Sequence, residues 1–140
     1  MNAQIFVDTG AWVALADTSD NLHVAAKDSY AAILIPGRRL VTTNLVVAET
    51  YTLLRQRLGH KAAVRFLATL KRSPRLQNIY SNEVLEREAE EILARYGDQD
   101  FSFVDAVSFA YMKQQQIAQA FAFDHHFLVA GFMILPASTC

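Results

Sequence analysis

The chain has 140 residues, of which 52% are hydrophobic and 19% charged, and its formal net charge is −1. This length suits one domain around a single core and is too short for two. No apolar run approaches the roughly 18 residues of a membrane helix, and the N-terminus has no signal-peptide pattern, so we expect a cytoplasmic protein. The lone cysteine, Cys140, excludes an intramolecular disulfide, and we assign it no role.

Short apolar segments alternate with helical patterns along the chain. Segments with the length and composition of strands are residues 4–7, 39–43, 76–81, 119–123 and 132–135. Helical spacing of apolar residues predicts helices over 11–17, 21–35, 45–58 with Asn44 as its cap, 60–72, 82–96 and from about Ser102. This alternation predicts an α/β fold, a three-layer sandwich with a mainly parallel sheet of about four or five short strands.

A basic stretch lies in the middle of the chain. It consists of His60, Lys61, Arg65, Lys71, Arg72 and Arg75, with Arg55 and Arg57 just before it. A polyanion could bind along these residues, but a solvated helix face explains them equally well. Because the chain as a whole has no excess of basic residues, both interpretations stay open.

Four carboxylates lie within or at the end of apolar stretches, namely Asp8, Glu49, Asp105 and Asp124. Burying an ionised carboxylate is costly unless a cation, a donor or a metal compensates it, and none of the four stretches contains Lys or Arg. We expect Asp8 and Asp124 at the carboxyl ends of strands. We expect Glu49 and Asp105 near the starts of helices. All four would then meet at the sheet edge where α/β proteins bind ligands.

Each of these acids also has a purely structural interpretation. Asp105 follows Ser102 at the spacing of a capping box, and Asp8 suits a helix N-cap. Asp124 could be a turn residue and Glu49 a solvent-facing helix residue. The convergence of four acids on one edge instead favours a shared divalent metal, and Mg²⁺ or Mn²⁺ fits best because both prefer oxygen ligands.

Two histidines, His125 and His126, directly follow Asp124. Adjacent residues seldom ligate one metal, so a zinc site is less favoured. The two rings could face a ligand, although the sequence favours an exposed turn.

Four segments carry a resemblance to a known family: FVDTGAWVAL, TTNLVVAETYTLL, DFSFVDAVSFAYM and AFAFDHHFLVAGF. In order and spacing they resemble the PIN-domain ribonucleases, in particular the VapC-type toxins of VapBC toxin–antitoxin systems. The resemblance implies a single PIN-like domain over residues 1–140. By position it implies that Asp8, Glu49, Asp105 and Asp124 form a catalytic, metal-binding pocket. It further implies supporting polar roles for Thr9, Ser108, Thr43, Asn44 and Asp100.

The activity that this resemblance implies is metal-dependent endoribonuclease chemistry. Mg²⁺ or Mn²⁺ would assist water in hydrolysing RNA phosphodiester bonds, which leaves 5′-phosphate and 3′-hydroxyl ends. The family also implies a cognate VapB-like antitoxin as partner. The apolar early helices, including Trp12, suggest a homodimer, for which ordinary core packing is the alternative.

Two other functions compete with this one. A haloacid dehalogenase-type phosphohydrolase also has an Asp after its first strand, but it needs a second Asp where this chain has Gly10. A catalytically silent PIN-like module could instead receive a basic partner segment in its acidic pocket. The presence of all four acids favours the enzyme over the silent module.

Overall fold

The structure, a computed structural model, describes residues 4–136, and Cys140 lies outside them. The strands are β1 (Gln4–Val7), β2 (Arg39–Thr43), β3 (Leu76–Ile79), β4 (Gln119–Phe121) and β5 (Met133–Leu135). The helices are α1 (Thr9–Ala16), α2 (His23–Ile33), α3 (Asn44–Leu58), α4 (His60–Arg72), α5 (Glu83–Arg95), α6 (Phe103–Gln115) and α7 (His126–Val129). Within residues 4–136, no helix is long and apolar enough to span a membrane.

The five strands form one parallel sheet in the order β3-β2-β1-β4-β5. Because β-α-β crossovers are right-handed, the connections from β1 to β3 cover one face and the return to β4 covers the other. Helix packing agrees, since α1 contacts α2 and α3, while α5 contacts α6. The predicted three-layer α/β sandwich with a parallel sheet is confirmed.

The core is built around the central strand β1. Ile5, Phe6 and Val7 are all buried, as expected for a strand that helices cover on both faces. The ring of Phe6 lies 6.3 Å from that of Phe127, which itself packs edge-on against Phe109. Apolar packing therefore fixes the position of β1 up to Val7, the residue before Asp8.

Two predicted strands extend too far at their carboxyl ends. The segment predicted as 76–81 ends at Ile79, because the chain then leaves the sheet and the Ser81 N–H donates to Oδ1 of Asn44 at 2.9 Å. The segment predicted as 119–123 ends at Phe121, so a short loop separates β4 from Asp124. The four-residue helix α7 was not predicted, because it is too short to show helical periodicity.

Helices α2 and α3 are two of the helices that start at other residues than the sequence predicts. The N-cap of α3 is Thr43, whose Oγ1 accepts a hydrogen bond from the Val46 N–H, and Asn44 is the first helical residue. Helix α2 starts at His23 rather than residue 21, because the Asp20 carboxylate accepts from the Leu22 N–H and holds the preceding residues in a turn.

Candidate active site

Asp8 lies at the centre of the carboxyl edge of the sheet. β2, the next strand along the chain, pairs with one side of β1, and β4 pairs with the other side. Ligands of open α/β sheets bind at such a switch point in the strand order. The Asp8 N–H donates to the carbonyl of Phe121 at 3.0 Å. On the other side, Oγ1 of Thr42 donates to the carbonyl of Val7 at 2.9 Å. Asp8 is therefore held in place by both neighbouring strands.

The carboxyl group of Asp8 is buried among other acids. The residue is only 5% exposed. Burial, followed by the charges of Asp105, Asp124 and Glu49, raises its pKa from 3.8 to about 7, against the lowering effect of the Thr9 backbone N–H. Within residues 4–136, the charged groups that act on this carboxyl are all acids. The structure thus brings the four predicted carboxylates together.

Asp105 has both of the roles that the sequence left open. It is the third residue of α6, where the Ser102 N–H donates to its Oδ2 at 3.1 Å and its own N–H donates to Oγ of Ser102 at 2.9 Å. The predicted capping box is therefore present. The same side chain is buried and acts electrostatically on Asp8, so the cap fixes the carboxylate at the cluster.

The other two acids approach Asp8 from different elements. Glu49 lies in the second turn of α3 and is half-buried rather than solvent-facing. Asp124 lies in the loop before α7, and its Oδ1 accepts from the backbone N–H of His126 at 2.9 Å. Its predicted turn role is thus confirmed, and it coexists with the approach to Asp8.

The two histidines differ in a way that the sequence did not predict. The side chain of His125 is 76% exposed, as an exposed turn requires, whereas that of His126 is only 16% exposed. Nδ1 of His126 lies 3.2 Å from Oδ2 of Asp105 and 3.3 Å from Oδ1 of Asp124. The exposed-turn prediction is therefore wrong for His126. No pattern in the sequence separates His126 from His125, because both lie between Asp124 and Phe127.

Thr9 and Ser108 are both buried. Thr9 directly follows Asp8 in the sequence, and Ser108 lies three residues after Asp105. The Thr9 hydroxyl has no hydrogen-bond partner among residues 4–136, and such buried polar atoms commonly bind a water or an ion. The Ser108 hydroxyl donates to the carbonyl of Val104 at 2.9 Å, one turn earlier in α6. Of this pair, Thr9 is the better candidate for contact with a bound ion.

The remaining supporting candidates take part in local structure. Thr43 caps α3 through Val46, and the Asn44 amide accepts from Ser81. Asp100 is exposed in the loop before α6. Their supporting role at the acidic pocket stays a prediction.

The donor set suits a hard divalent cation. Asp8 supplies a carboxyl whose pKa is raised first by burial and then by the neighbouring acids, and Thr9 supplies a buried hydroxyl with no hydrogen-bond partner among residues 4–136. Asp124, His125 and His126 also form a group whose potential ligand atoms lie within 4.8 Å of one another. However, Nδ1 of His126 faces two carboxylate oxygens, so the oxygen-rich side of the cluster is the better metal site.

Comparison with known proteins decides the family. The PIN domain profile matches residues 5–133. The chain belongs to the PIN domain family. This PIN domain is 42% identical over 130 residues to the 23S rRNA-specific endonuclease VapC20 of two Mycobacterium tuberculosis strains, CDC 1551 / Oshkosh and H37Rv. That similarity covers 92% of this chain and 95% of VapC20.

Solved structures agree with the PIN assignment. The crystal structure of M. tuberculosis VapC20, described as a Sarcin-Ricin loop cleaving toxin, superposes with a TM-score of 0.85 at 41% identity. The match covers 92% of this PIN domain and 96% of VapC20. FitAcB from Neisseria gonorrhoeae shares the fold with a TM-score of 0.64 at 18% identity, over 93% of this chain and 95% of that one.

These relationships confirm the resemblance to PIN-domain ribonucleases of the VapC type. Homology to VapC20 over most of both chains supports an endoribonuclease toxin. They also set aside the haloacid dehalogenase alternative, which Gly10 already disfavoured.

Proposed function

We propose that this PIN domain, as one domain over the whole chain, is a metal-dependent endoribonuclease and the toxin of a type II toxin–antitoxin pair. The observation that carries the proposal is Asp8, a buried carboxyl whose pKa is raised to about 7 by burial and three converging acids. A stability penalty of this kind is typical of functional sites, because a structural role would be better served by an apolar side chain.

The four acids would hold the metal ion, Mg²⁺ or Mn²⁺; they are Asp8, Glu49, Asp105 and Asp124. When bound, the ion supplies positive charge that activates a water and offsets the charge on the scissile phosphate. Asp8 and Asp105 fix the geometry, because β1 and the α6 capping box hold their backbones. The Thr9 hydroxyl supplies an additional uncharged donor or acceptor beside Asp8.

The proposed reaction is hydrolysis at phosphorus. The oxygen of water forms a bond to phosphorus, and the bond between phosphorus and the 3′ oxygen of the preceding nucleotide breaks. The departing 3′ oxygen takes up a proton, and the phosphate stays on the 5′ end of the downstream fragment. In this scheme the four carboxylates bind and orient, and the ribose 2′-hydroxyl takes no part.

The proposed substrate is ribosomal RNA, because VapC20 is named for 23S rRNA and is described as cleaving the sarcin–ricin loop. RNA loops are also the targets that proteins read most readily, since their unstacked bases are accessible. The basic stretch is exposed along α4 and its flanks, which permits contact with the RNA backbone. That contact and the solvated-face alternative remain the two interpretations of this stretch.

The proposed partners and setting follow the same relationship. A VapB-like antitoxin would neutralise the toxin by placing a basic side chain among the four acids, where its charge replaces that of the metal. We also propose a cytoplasmic protein and a homodimer. Trp12 is buried within the chain, so it contributes to the core rather than to a dimer surface, and a dimer would use other residues of the early helices.

The substitution Asp105→Asn tests the proposed function. Asparagine keeps the shape and an acceptor oxygen for the Ser102 N–H, so the fold should persist while a metal ligand is lost. We expect at least about a hundredfold loss of RNA cleavage, the size that loss of a group central to transition-state charge stabilisation produces. Asp28→Asn, the same chemical change at an exposed position of α2, is the matched control.

The measurement is cleavage of 23S rRNA and of total cellular RNA in Mg²⁺, Mn²⁺ or EDTA, with the fragment ends identified. Metal-dependent cleavage to 5′-phosphate ends, lost in Asp105→Asn and kept in Asp28→Asn, is the expected result. Cyclic phosphate ends would refute the water mechanism. Binding of divalent metal or of a basic peptide without cleavage of any RNA would instead support the silent binding module.

A further inference from the structure

His126 connects two acids that belong to distant parts of the chain. Its Nδ1 lies 3.2 Å from Oδ2 of Asp105, at the start of α6, and 3.3 Å from Oδ1 of Asp124. The contact with Asp105 is a hydrogen bond, and because a carboxylate only accepts, Nδ1 carries the hydrogen and donates it to Oδ2 of Asp105. The imidazole therefore donates to Asp105 and lies within ion-pair distance of Asp124.

In each of these two carboxylates, one oxygen accepts hydrogen bonds from residues 4–136 and the other does not. Oδ2 of Asp105 accepts from the Ser102 N–H at 3.1 Å as well as from His126. Oδ1 of Asp124 accepts from the His126 backbone N–H at 2.9 Å and lies 3.3 Å from Nδ1 of the same residue. Within residues 4–136, the other oxygen of each carboxylate receives no hydrogen bond. The donors thus leave one free oxygen per acid for a cation.

The His126 ring is itself fixed by packing. It meets the ring of Phe101 edge-on at 5.2 Å, and Phe101 packs edge-on against Phe109 at 5.0 Å. Its side chain is 16% exposed, compared with 76% for His125. Aromatic contacts with the core therefore aim Nδ1 at the two carboxylates, while the ring of His125 is mostly exposed and lies 4.8 Å from that of His126.

We propose that His126 is a positioning residue that turns the carboxylates of Asp105 and Asp124 so that one oxygen of each faces the metal. The proposal rests on the proposed metal-dependent function. Outer hydrogen bonds of this kind orient metal ligands, and their loss typically weakens metal affinity by about 10- to 100-fold. His126 acts through the two acids and does not itself bind the ion.

Two substitutions separate the effect of the N–H donor of His126 from the effect of its aromatic ring. His126→Asn keeps an N–H at the position of Nδ1 but loses the aromatic packing, whereas His126→Phe keeps the ring and loses the donor. The control is His125→Asn, the same exchange at the exposed neighbour. The readout is affinity for Mn²⁺ by calorimetry on RNA-free protein, with thermal unfolding as a check of the fold and cleavage of 23S rRNA as a second readout.

We expect His126→Phe to weaken Mn²⁺ binding about tenfold or more, and His126→Asn and His125→Asn to stay near the wild type. Affinity lost in His126→Asn as much as in His126→Phe would overturn the proposal, because the N–H donor kept by asparagine would then not preserve metal binding. Wild-type affinity in His126→Phe would overturn it as well. If the wild-type protein bound no divalent ion and cleaved no RNA, the proposed function itself would fail, which differs from both of these results.

Discussion

Folding raises the pKa of Asp8, and this shift couples the protonation of Asp8 to stability. In the unfolded chain its pKa is near the ordinary 3.8, whereas in the folded, metal-free protein it is about 7. Between these two values the folded state holds a proton that the unfolded state has released. The stabilising contribution of Asp8 is therefore complete below about pH 4 and is lost as the pH rises to about 7.

The substitution Asp8→Asn should remove this pH dependence. We expect the metal-free variant to be more stable than the wild type at pH 8, by at most about 4 kcal/mol, with a smaller difference at pH 5. The measurement is urea unfolding of both proteins in EDTA at the two pH values. A difference in stability that did not change with pH would show that Asp8 is not the buried acid with a raised pKa.

Among the helices, α6 joins the core to the cluster of acids most directly. Its residues from Asp105 to Met112 are all buried, so the helix is enclosed on every side. Its first turn carries the capping box, which leaves the Asp105 carboxylate at the end of a rigid element. Side chains mounted on such elements keep their geometry better than those on loops.

The capping box predicts a specific effect of Ser102→Ala. The alanine cannot accept from the Asp105 N–H, and we expect a loss of about 1 kcal/mol of unfolding free energy, measured by urea unfolding. Ser102→Thr retains the hydroxyl and serves as the control, with stability near that of the wild type. Equal destabilisation by threonine would attribute the effect to packing at residue 102 and not to the cap.

Elements with strong local signals could be predicted from the sequence. The acids at positions 8, 49, 105 and 124 could be found because each interrupts an apolar stretch, and a parallel sheet brings strand ends to one edge. The role of His126 could not be found, because its partner Asp105 is 21 residues away and no local pattern marks the contact. The end of β3 was missed because a tertiary hydrogen bond, from Ser81 to Asn44, decides it, and α7 was missed because four residues show no helical periodicity.

At the scale of the whole molecule, a bound metal should act as a stabilising ligand. A ligand that binds only the folded state at 100 times its dissociation constant contributes about 2.7 kcal/mol. We therefore expect saturating Mn²⁺ to raise the melting temperature of the wild type, and to raise that of Asp105→Asn by much less. Thermal unfolding with and without Mn²⁺, at matched ionic strength with KCl, measures this. Equal shifts in both proteins would place the ion elsewhere on the molecule.

The strand order has a consequence for the toxin during its own synthesis. β1 carries Asp8, but it lies between β2 and β4, and β4 begins only at Gln119. A nascent chain thus contains its first acid more than a hundred residues before the strand that completes the surroundings of that acid. Because distant strands pair late, the cluster of four acids can form only when nearly all of the chain has left the ribosome. The topology therefore delays assembly of the site until synthesis of the chain is almost complete.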